Sequence, residues 1–440
     1  MKSRLTKMAD YKVAGVGDLS FLVEKTGLSD PALRLVIGLL SAYPLCLIYR
    51  LFLYRTNPML QHVYFIVGGM CLLIFGFGWG VIHSIINIVL VYLVLLIGGP
   101  NMGTVITVFI LNLVGLAWDY YDGAQDQETL SADFKTTALH KLPSVIEVFG
   151  SCYYMGGCLV GPLFPIKPYI QLVEGDLIDK ELDNNSCIGA GLKRMVVGLT
   201  YLGGYSVLGV WFTASHMNTE EFKALSFISQ MWYIGFWGRI ILMRYLGVWL
   251  TAEGSCIVTG LSYNGKTPQG QLIWDGLRNI KLTIYETSYT YQHIVECFNV
   301  NTNKWVFRYV FKRLRFLGNK DLSHFLTLMF LAVWHGLHVG YFICFSLEFL
   351  IILMERQVYN LFAGVFKMRW SDMSVPLKAL VIAIAWGQSD SVVLGTVFHT
   401  TYYIVGTVLA LWFALYPTII HPIYKAVTRT PREQPKDKEK

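Results

Sequence analysis

The sequence predicts an all-α polytopic membrane protein, with about ten to twelve transmembrane or re-entrant helices around a central catalytic chamber. Of its 440 residues, 54% are hydrophobic and only 15% are charged, and the mean hydropathy is +0.47. Apolar runs recur along the chain, and most of them approach or reach the roughly 20 residues that cross a hydrocarbon core. Composition and runs together argue against two or three soluble domains.

The predicted membrane segments are joined by short links as far as residue 118 and by longer polar or amphiphilic stretches after it. They occupy residues 31–53, 62–79, 81–97, 105–118, 145–170, 195–212, 227–250, 325–354, 377–386 and 392–420. The first 30 residues are polar and mixed in charge, without the apolar core of a cleavable signal peptide. The predicted organisation is therefore a polar arm at 1–30, a single membrane domain at 31–428 and a charged cytosolic tail at 429–440.

The tail ends in alternating charges, with lysines at the third and fifth positions from its end, Lys438 and Lys436. This arrangement resembles the dilysine signal that returns membrane proteins to the endoplasmic reticulum. A merely solvated tail is the alternative. With the apolar runs, the tail predicts a multi-pass protein of the endoplasmic reticulum membrane.

Neither the cysteines nor the acidic residues indicate a metal or a disulfide framework. The eight cysteines are scattered, mostly in apolar stretches, and no Cys-x-x-Cys pair is present. The acids of residues 119–142 lack the spacing of a calcium-binding loop, so a solvated loop is the expectation there. Glu253 lies just past an apolar run, where an acid more often caps or pairs than catalyses. No metal and no cofactor are predicted.

A basic segment follows the middle of the chain and contributes to the net charge of +7. It contains six cations and no acid: Lys304, Arg308, Lys312, Arg313, Arg315 and Lys320. Arg308, Lys312 and Arg315 recur at helical spacing, which predicts an amphipathic basic helix. Such a helix either binds phosphates at the cytosolic face or rests on anionic lipid headgroups. Nucleic acid is a poor partner for so apolar a chain.

The two residues that best support chemistry are His335 and Asn299. His335 sits in the apolar run 325–354, and an ionisable group at membrane depth marks a functional site by default. Burial disfavours the charged imidazole, which leaves it available as a base. Asn299 supplies an amide that is both donor and acceptor. A base and a donor in a dry chamber are sufficient for acyl transfer from a thioester to an alcohol.

Three motifs surround these residues: NVNTNKW at 299–305, RYVFKRLRFLGNK at 308–320 and WHGLHVGY at 334–341. Together they resemble the membrane-bound O-acyltransferase family, and within it the lysophosphatidylcholine acyltransferase 3 branch. The resemblance runs over residues 153–357.

The resemblance implies an enzyme that uses acyl-CoA as a co-substrate and a 1-acyl lysophospholipid, chiefly lysophosphatidylcholine, as acceptor. It implies direct attack of the sn-2 hydroxyl on the thioester, a polyunsaturated acyl preference, and His335 and Asn299 as the catalytic pair. We expect Arg308, Lys312 and Arg315 to bind acyl-CoA. Other partners are membrane lipids, and a homodimer is compatible with the sequence.

The residues expected to border the substrate chamber are mostly aromatic or amide side chains: Asn303, Trp305, Trp334, His338, Tyr154 and Trp274. For Tyr154 the alternative is a packing interface, because glycines follow it in a membrane segment, and glycines let helices approach closely.

Three other chemistries fit the sequence less well. A covalent Cys or Ser nucleophile lacks a Gly-x-Ser-x-Gly elbow, and Cys344 falls opposite His335 if their helix is continuous. A metal on His335 and His338 would have too few ligands. A transporter or channel with His335 on a proton or ion path is the remaining alternative, but the halves show no internal repeat.

Overall fold

The computed structural model describes residues 15–99, 111–181, 185–288, 290–365 and 411–428. Across those ranges the regular structure is helical, and the β structure amounts to an isolated antiparallel bridge between Lys266 and Leu272. The predicted all-α class is therefore confirmed for this part of the chain. The run 377–386 and the tail with its retrieval signal lie outside the described residues.

The α-helices of these ranges are numbered here in chain order. They are α1 (Ser20–Thr26), α2 (Asp30–Ile48), α3 (Pro58–Phe77), α4 (Val81–Gly98), α5 (Leu111–Gly123), α6 (Ala132–Lys135), α7 (Val145–Cys152), α8 (Ile166–Glu174), α9 (Ser186–Leu208), α10 (Glu220–Ala224), α11 (Phe227–Thr259), α12 (Leu282–Glu286), α13 (Tyr291–Cys297), α14 (Val300–Tyr309), α15 (Lys320–His335), α16 (Val339–Val365) and α17 (His421–Thr428). Short 3-10 or π turns occupy Tyr49–Leu53, Gly78–Gly80, His216–Asn218, Phe311–Leu317 and Tyr416–Ile420.

Three helical segments of the described ranges are long and apolar enough to cross a membrane: Asp30–Leu53, Pro58–Gly98 and Phe227–Thr259. Their starts follow from local sequence. Asn57 precedes α3 and its side chain accepts a hydrogen bond from the backbone N–H of Met59, with Pro58 as the first helical residue. Proline is suited to this position because the first N–H groups of a helix lack helical partners. The membrane character is thus confirmed, whereas the number of helices remains a prediction.

Two predicted membrane segments are interrupted. The run 145–170 gives two short helices, α7 and α8, separated by irregular backbone at 153–165. The run 325–354 is divided between α15 and α16, because Gly336 has φ 129° and ψ 161°, which only glycine adopts without strain. Conversely, the run 227–250 continues as helix to Thr259, so Glu253 lies inside α11 and not past its end.

The chain divides into two compact units. The first comprises Met1–Trp211, Ile240–Lys281 and Phe298–Arg313. The second comprises Phe212–Arg239, Leu282–Cys297 and Leu314–Lys440. Each unit is therefore assembled from separate stretches of chain.

An aromatic cluster occupies the core of the first unit. Phe65 on α3 lies with its ring centroid 4.4 Å from that of Tyr49, 5.1 Å from Tyr154 and 5.6 Å from Tyr169. All four side chains are at most 1% exposed. Their hydroxyls have partners: Tyr49 donates to Gln61 at 2.8 Å, and Tyr169 bonds to a histidine ring nitrogen. Such partners offset the loss of water from a buried tyrosine hydroxyl.

In the second unit α15 packs against α16. A carboxylate of α16 also holds the start of α13, since the backbone N–H groups of Tyr291 and Gln292 each donate to Glu355 at 2.9 Å. An anion at a helix N-terminus satisfies N–H groups that have no helical partner. Arg239 pairs with Glu286 over the ring of Tyr285, its guanidinium 4.1 Å from the ring centroid.

Candidate active site

Asn299 immediately precedes α14 in the first unit and has a left-handed backbone, with φ 51° and ψ 42°. Asparagine tolerates this conformation better than most residues do. It is also a favoured helix-capping residue, yet its side chain does not cap α14. Its Oδ1 instead accepts hydrogen bonds from Thr302 Oγ1 at 2.8 Å and Asn279 Nδ2 at 3.4 Å. The half-buried amide is therefore held by two side chains.

An ion pair between Arg194 and Glu253 holds the backbone at 279–280, next to the Asn279 side chain that contacts Asn299. Arg194 Nη2 donates to Glu253 Oε2 at 3.0 Å and to the carbonyl oxygen of Ile280 at 2.9 Å. Glu253 Oε2 also accepts from the backbone N–H of Asn279 at 3.4 Å. The Glu253 side chain is 2% exposed and that of Arg194 is 18% exposed. The expectation that Glu253 pairs is confirmed, and its pairing fixes the chain at 279–280.

The prediction of an amphipathic basic helix at 308–315 is wrong. Helix α14 ends at Tyr309, and a 3-10 turn follows at Phe311–Leu317. The helical spacing of Arg308, Lys312 and Arg315 therefore does not place them on one face. Arg308 is half-buried, Lys312 is buried and Arg315 is exposed.

The acids of residues 119–142, here called the acidic loop, explain these positions of the basic side chains in the first unit. Lys312 pairs with Asp133, and Arg313 forms a two-pronged pair with Asp122 at 2.8 and 2.6 Å. Asp119 accepts hydrogen bonds from Tyr309 at 2.8 Å and from Thr137 at 2.7 Å. The expectation of a solvated loop is wrong for Asp119 and Asp122, which are both 0% exposed. These acids attach the loop to the basic segment.

Aromatic rings complete this attachment. The guanidinium of Arg313 lies 4.2 Å from the ring centroid of Trp118 and 4.1 Å from that of Phe134. A planar guanidinium between two ring faces gains cation–π attraction on both sides. We call the set Asp122, Arg313, Trp118 and Phe134 the arginine clamp.

Lys304 differs from Lys312 and Arg313, which are both paired with acids. It is exposed on α14, and partial desolvation together with the nearby Lys281 ammonium lowers the pKa of Lys304, an effect that Asp275 opposes. An anion that binds between two mutually repelling cations lowers their electrostatic free energy. Lys304, which was not among the residues predicted to bind acyl-CoA, is therefore better placed for a phosphate than Lys312.

In the second unit His335 is the last residue of α15, and three aromatic rings surround it. Its ring centroid lies 4.7 Å from that of Trp334, 5.3 Å from Tyr341 and 5.5 Å from Phe345. The side chain is exposed within the described residues. The break at Gly336 brings Tyr341 and Phe345 of α16 beside His335, which a continuous helix would not do. The premise that one continuous helix carries both His335 and Cys344 is therefore wrong.

The other predicted chamber residues differ in exposure. Trp334 is 45% exposed and His338 is also exposed, with its ring 6.3 Å from that of Tyr341. In the first unit Asn303 is half-buried and donates to the Phe298 carbonyl at 3.0 Å. Trp305 is only 7% exposed, and its ring centroid is 5.3 Å from that of Tyr309.

Tyr154 and Trp274 are both engaged within the first unit. Tyr154 is 1% exposed and its hydroxyl bonds to that of Thr259. A Cβ at Gly156 would lie 2.8 Å from the Tyr154 ring and 3.1 Å from Cys256 Sγ, so the glycine permits close packing there. These contacts favour the packing interpretation of the stretch. Trp274 is half-buried, and its Nε1 donates to Ser186 Oγ at 3.2 Å.

A cavity of about 270 Å³ lies elsewhere in the first unit. Its lining is mostly apolar and includes Leu73, Ile88, Cys152 and Tyr153, but neither Asn299 nor any residue of α14. The hydroxyl of Tyr153 bonds to Ser84 at the wall of this cavity. No group of three or more metal-ligating side chains occurs in the ranges that the structure covers.

Comparison with known proteins decides the family. The model of the membrane-bound O-acyltransferase family matches residues 102–395. This chain belongs to that family. It is 39% identical over 386 residues to lysophospholipid acyltransferase 5 of Homo sapiens, which covers 80% of this chain and 79% of the human protein. It is 32% identical to lysophospholipid acyltransferase 5 of Drosophila melanogaster, over 92% of this chain and 90% of the fly protein.

The family resemblance expected from the three motifs is confirmed, and it extends beyond residues 153–357. A more distant match, at 28% identity over 56% of this chain and 51% of the relative, is the lysophospholipid acyltransferase of Schizosaccharomyces pombe. This O-acyltransferase is therefore an enzyme, and the transporter hypothesis is not favoured. The range that the family model matches, 102–395, contains the positions of Asn299 and His335.

Sequence reasoning missed several residues of this O-acyltransferase. Asn279, Thr302 and Arg194 contact the Asn299 segment or its support. Thr302 lies within the motif at 299–305 but was given no role there, and no motif includes Asn279 or Arg194. Asn279 lies 20 positions before Asn299 in the chain, and no spacing rule links two residues of a loop and a helix start at that separation. The Gly336 break did have a signal, since glycine inside a helical pattern lowers the propensity for helix.

Proposed function

We propose that this chain transfers a fatty acyl group from acyl-CoA to the sn-2 hydroxyl of a 1-acyl lysophospholipid, chiefly lysophosphatidylcholine. The observation that carries the proposal is the 39% identity to a lysophospholipid acyltransferase over 80% of the chain. The exposed imidazole of His335 and the held amide of Asn299 supply the two groups that such a reaction needs. No cofactor takes part, and the enzyme acts in the endoplasmic reticulum membrane.

In the proposed reaction His335 accepts the proton of the sn-2 hydroxyl as its oxygen attacks the thioester carbonyl. The carbonyl π electrons move to oxygen, and the amide of Asn299 either positions the hydroxyl or stabilises that oxyanion. The intermediate collapses with cleavage of the C–S bond. Coenzyme A leaves as the thiol after taking the proton from His335, and the acylated phospholipid remains in the bilayer.

The donor phosphates need cations that are not already neutralised. Lys304 on α14 and Arg315 are exposed, whereas Arg308 is half-buried beside the hydroxyl of Tyr309 and near the carboxylate of Asp119. Lys312 is paired with Asp133, so we assign it to the attachment of the acidic loop. We therefore propose that acyl-CoA binds through Lys304, with Arg308 of the same helix contributing positive charge.

The test uses the full chain purified in detergent, with linoleoyl-CoA and 1-palmitoyl-lysophosphatidylcholine as substrates. Released thiol and labelled phosphatidylcholine are measured together. We expect equal amounts of both products from the wild type, and loss of both by about 10²-fold or more for His335→Ala or Asn299→Ala. His83→Ala, an exposed histidine of α4, serves as the matched control and should retain activity.

Thiol release without phospholipid product would indicate thioester hydrolysis and would contradict the assigned acceptor. Absence of both products from the wild type, with proton flux across vesicles that contain the protein, would support the transporter hypothesis instead.

A further inference from the structure

Asn279 uses all of its hydrogen-bonding groups around the segment that carries Asn299. Its backbone N–H donates to Glu253 at 3.4 Å, and its carbonyl oxygen accepts from the N–H of Val300 at 2.9 Å. Its Oδ1 accepts from the N–H of Asn301 at 3.1 Å, while its Nδ2 donates to Asn299 Oδ1 at 3.4 Å. Asn279 is 5% exposed, so these partners replace water almost completely.

These contacts determine which way the Asn299 amide faces. A backbone N–H can only donate, so the Asn279 atom that meets the N–H of Asn301 must be oxygen. The other terminal atom of Asn279 is then its NH₂ group, which can only donate. The Asn299 atom facing that NH₂ group must therefore be Oδ1. The donor of Asn299, its Nδ2, is consequently on the opposite side of the amide.

Thr302 reinforces the same orientation. Its hydroxyl donates to Asn299 Oδ1 at 2.8 Å, which is shorter than the contact from Asn279. Thr302 is 9% exposed and lies one turn into α14, where a threonine hydroxyl would otherwise bond to a carbonyl of the preceding turn. Asn299 Oδ1 thus has two donors and little capacity left to accept a substrate proton.

We propose that Asn279 and Thr302 are positioning residues that fix the Asn299 amide as a hydrogen-bond donor to the thioester oxyanion. This proposal rests on the proposed function and removes one of its alternatives, because an Asn299 with an occupied Oδ1 does not accept a hydrogen bond from the attacking hydroxyl. A preoriented donor costs no reorganisation when negative charge develops on the carbonyl oxygen. The Arg194–Glu253 pair acts through the backbone of Asn279.

Two substitutions of Thr302 separate positioning from packing. Thr302→Val keeps the side-chain shape and removes the hydroxyl, whereas Thr302→Ser keeps the hydroxyl and removes a methyl group. We expect kcat to fall about 10-fold for Thr302→Val, with KM for both substrates little changed, and to stay within about 2-fold of wild type for Thr302→Ser. If Thr302 only fills space, Thr302→Ser would be the more damaged variant, and the proposal would be overturned.

The matched control is Thr251→Val, on α11 in the same unit. Thr251 is 1% exposed, and its hydroxyl donates to the carbonyl of Gly247 one turn earlier. It therefore reports the cost of removing a buried threonine hydroxyl that does not contact Asn299. We expect its kcat within about 2-fold of wild type. A loss equal to that of Thr302→Val would show that the effect is general destabilisation.

A second pair of variants tests the direction of the Asn299 hydrogen bond. Asn299→Asp still accepts from Asn279 and Thr302 but has no NH₂ group, so we expect it to lose kcat as completely as Asn299→Ala, by about 10²-fold to 10³-fold. An active Asn299→Asp enzyme would overturn the donor assignment. Asn279→Asp should act similarly, because its carboxylate would turn the Asn299 amide around to donate to it.

Combination with Asn299→Ala completes the experiment. If Thr302 acts through Asn299, Thr302→Val should cause no additional loss of kcat in the Asn299→Ala background. A further 10-fold loss there would overturn the proposal. If the wild type and Asn299→Ala differ as expected but Thr302→Val matches Thr251→Val, the positioning proposal fails while the proposed function stands. An inactive wild type would instead count against the proposed function.

Discussion

The arginine clamp allows a sharp prediction about stability, through the substitution Asp122→Asn. Asp122 is buried, and its two oxygens receive the two arms of Arg313 at 2.8 and 2.6 Å. An asparagine keeps one acceptor but presents an NH₂ group to the second arm, so a cation remains between Trp118 and Phe134 without its counter-charge. Breaking a buried pair in this way costs about 3–5 kcal/mol.

The partial exposure of Arg313 places the expected loss in free energy of unfolding near the lower limit of this range. The Arg313 side chain retains 17% exposure, so water compensates part of the loss and about 3 kcal/mol is appropriate. At about 2 °C for each kcal/mol in a large chain, the midpoint of thermal unfolding should fall by about 6 °C. Fluorescence-detected size-exclusion chromatography after heating, on the detergent-solubilised protein, measures this midpoint.

The second unit provides a control pair with the same chemistry and different burial. Arg356 pairs with Asp321 at 2.9 Å, with side chains 53% and 54% exposed. Exposed pairs contribute little, typically about 0–1 kcal/mol, so Asp321→Asn should shift the midpoint by no more than about 2 °C. Equal shifts for Asp122→Asn and Asp321→Asn would refute the argument that burial makes the clamp important.

Two further predictions concern the proposed sites. Replacing Lys304 and Arg308 together by Gln should raise the KM for acyl-CoA about 10-fold, with less effect on the KM for lysophospholipid, because charge-assisted bonds to the donor phosphates are lost. Initial-rate kinetics with each substrate varied would show it, and equal rises in both constants would contradict it. Gly336→Ala should lower kcat by more than the control Gly203→Ala, since φ 129° strains alanine by about 1–3 kcal/mol beside His335. Gly203 has open space around it, so a loss of the same size there would point to a general effect.

The sequence was sufficient for the helical class, for the membrane segments near residues 31–53 and 81–97, and for the family. Those predictions depend on local composition or on motifs. The contacts that hold the site together depend on tertiary structure: Asp122 and Arg313 are 191 positions apart, and Asn279 and Asn299 are 20 apart. Pairing at such separations leaves no periodic pattern in a single sequence.

The basic segment shows why a helical spacing of charges in the sequence can predict a helix that does not form. Its cations do recur at helical spacing, and that pattern alone favours a helix. Pairing with Asp133 and Asp122, together with the ring faces of Trp118 and Phe134, requires Lys312 and Arg313 to face the acidic loop. A tertiary ion-pair network thus outweighs a helix propensity that differs by only a few tenths of a kcal/mol between residues.

The same network divides cations that look equivalent in the sequence into two functional classes. A charge reversal at Lys312 would set a carboxylate against Asp133, so lost activity in that variant would report a detached loop and not a weakened donor site. Neutralisation at Lys304, as in Lys304→Gln, removes both the repulsion with Lys281 and the attraction to Asp275, and it breaks no ion pair in the described part of the chain. Its effect on the KM for acyl-CoA, free of a stability change, is therefore the direct measure of phosphate binding by this surface.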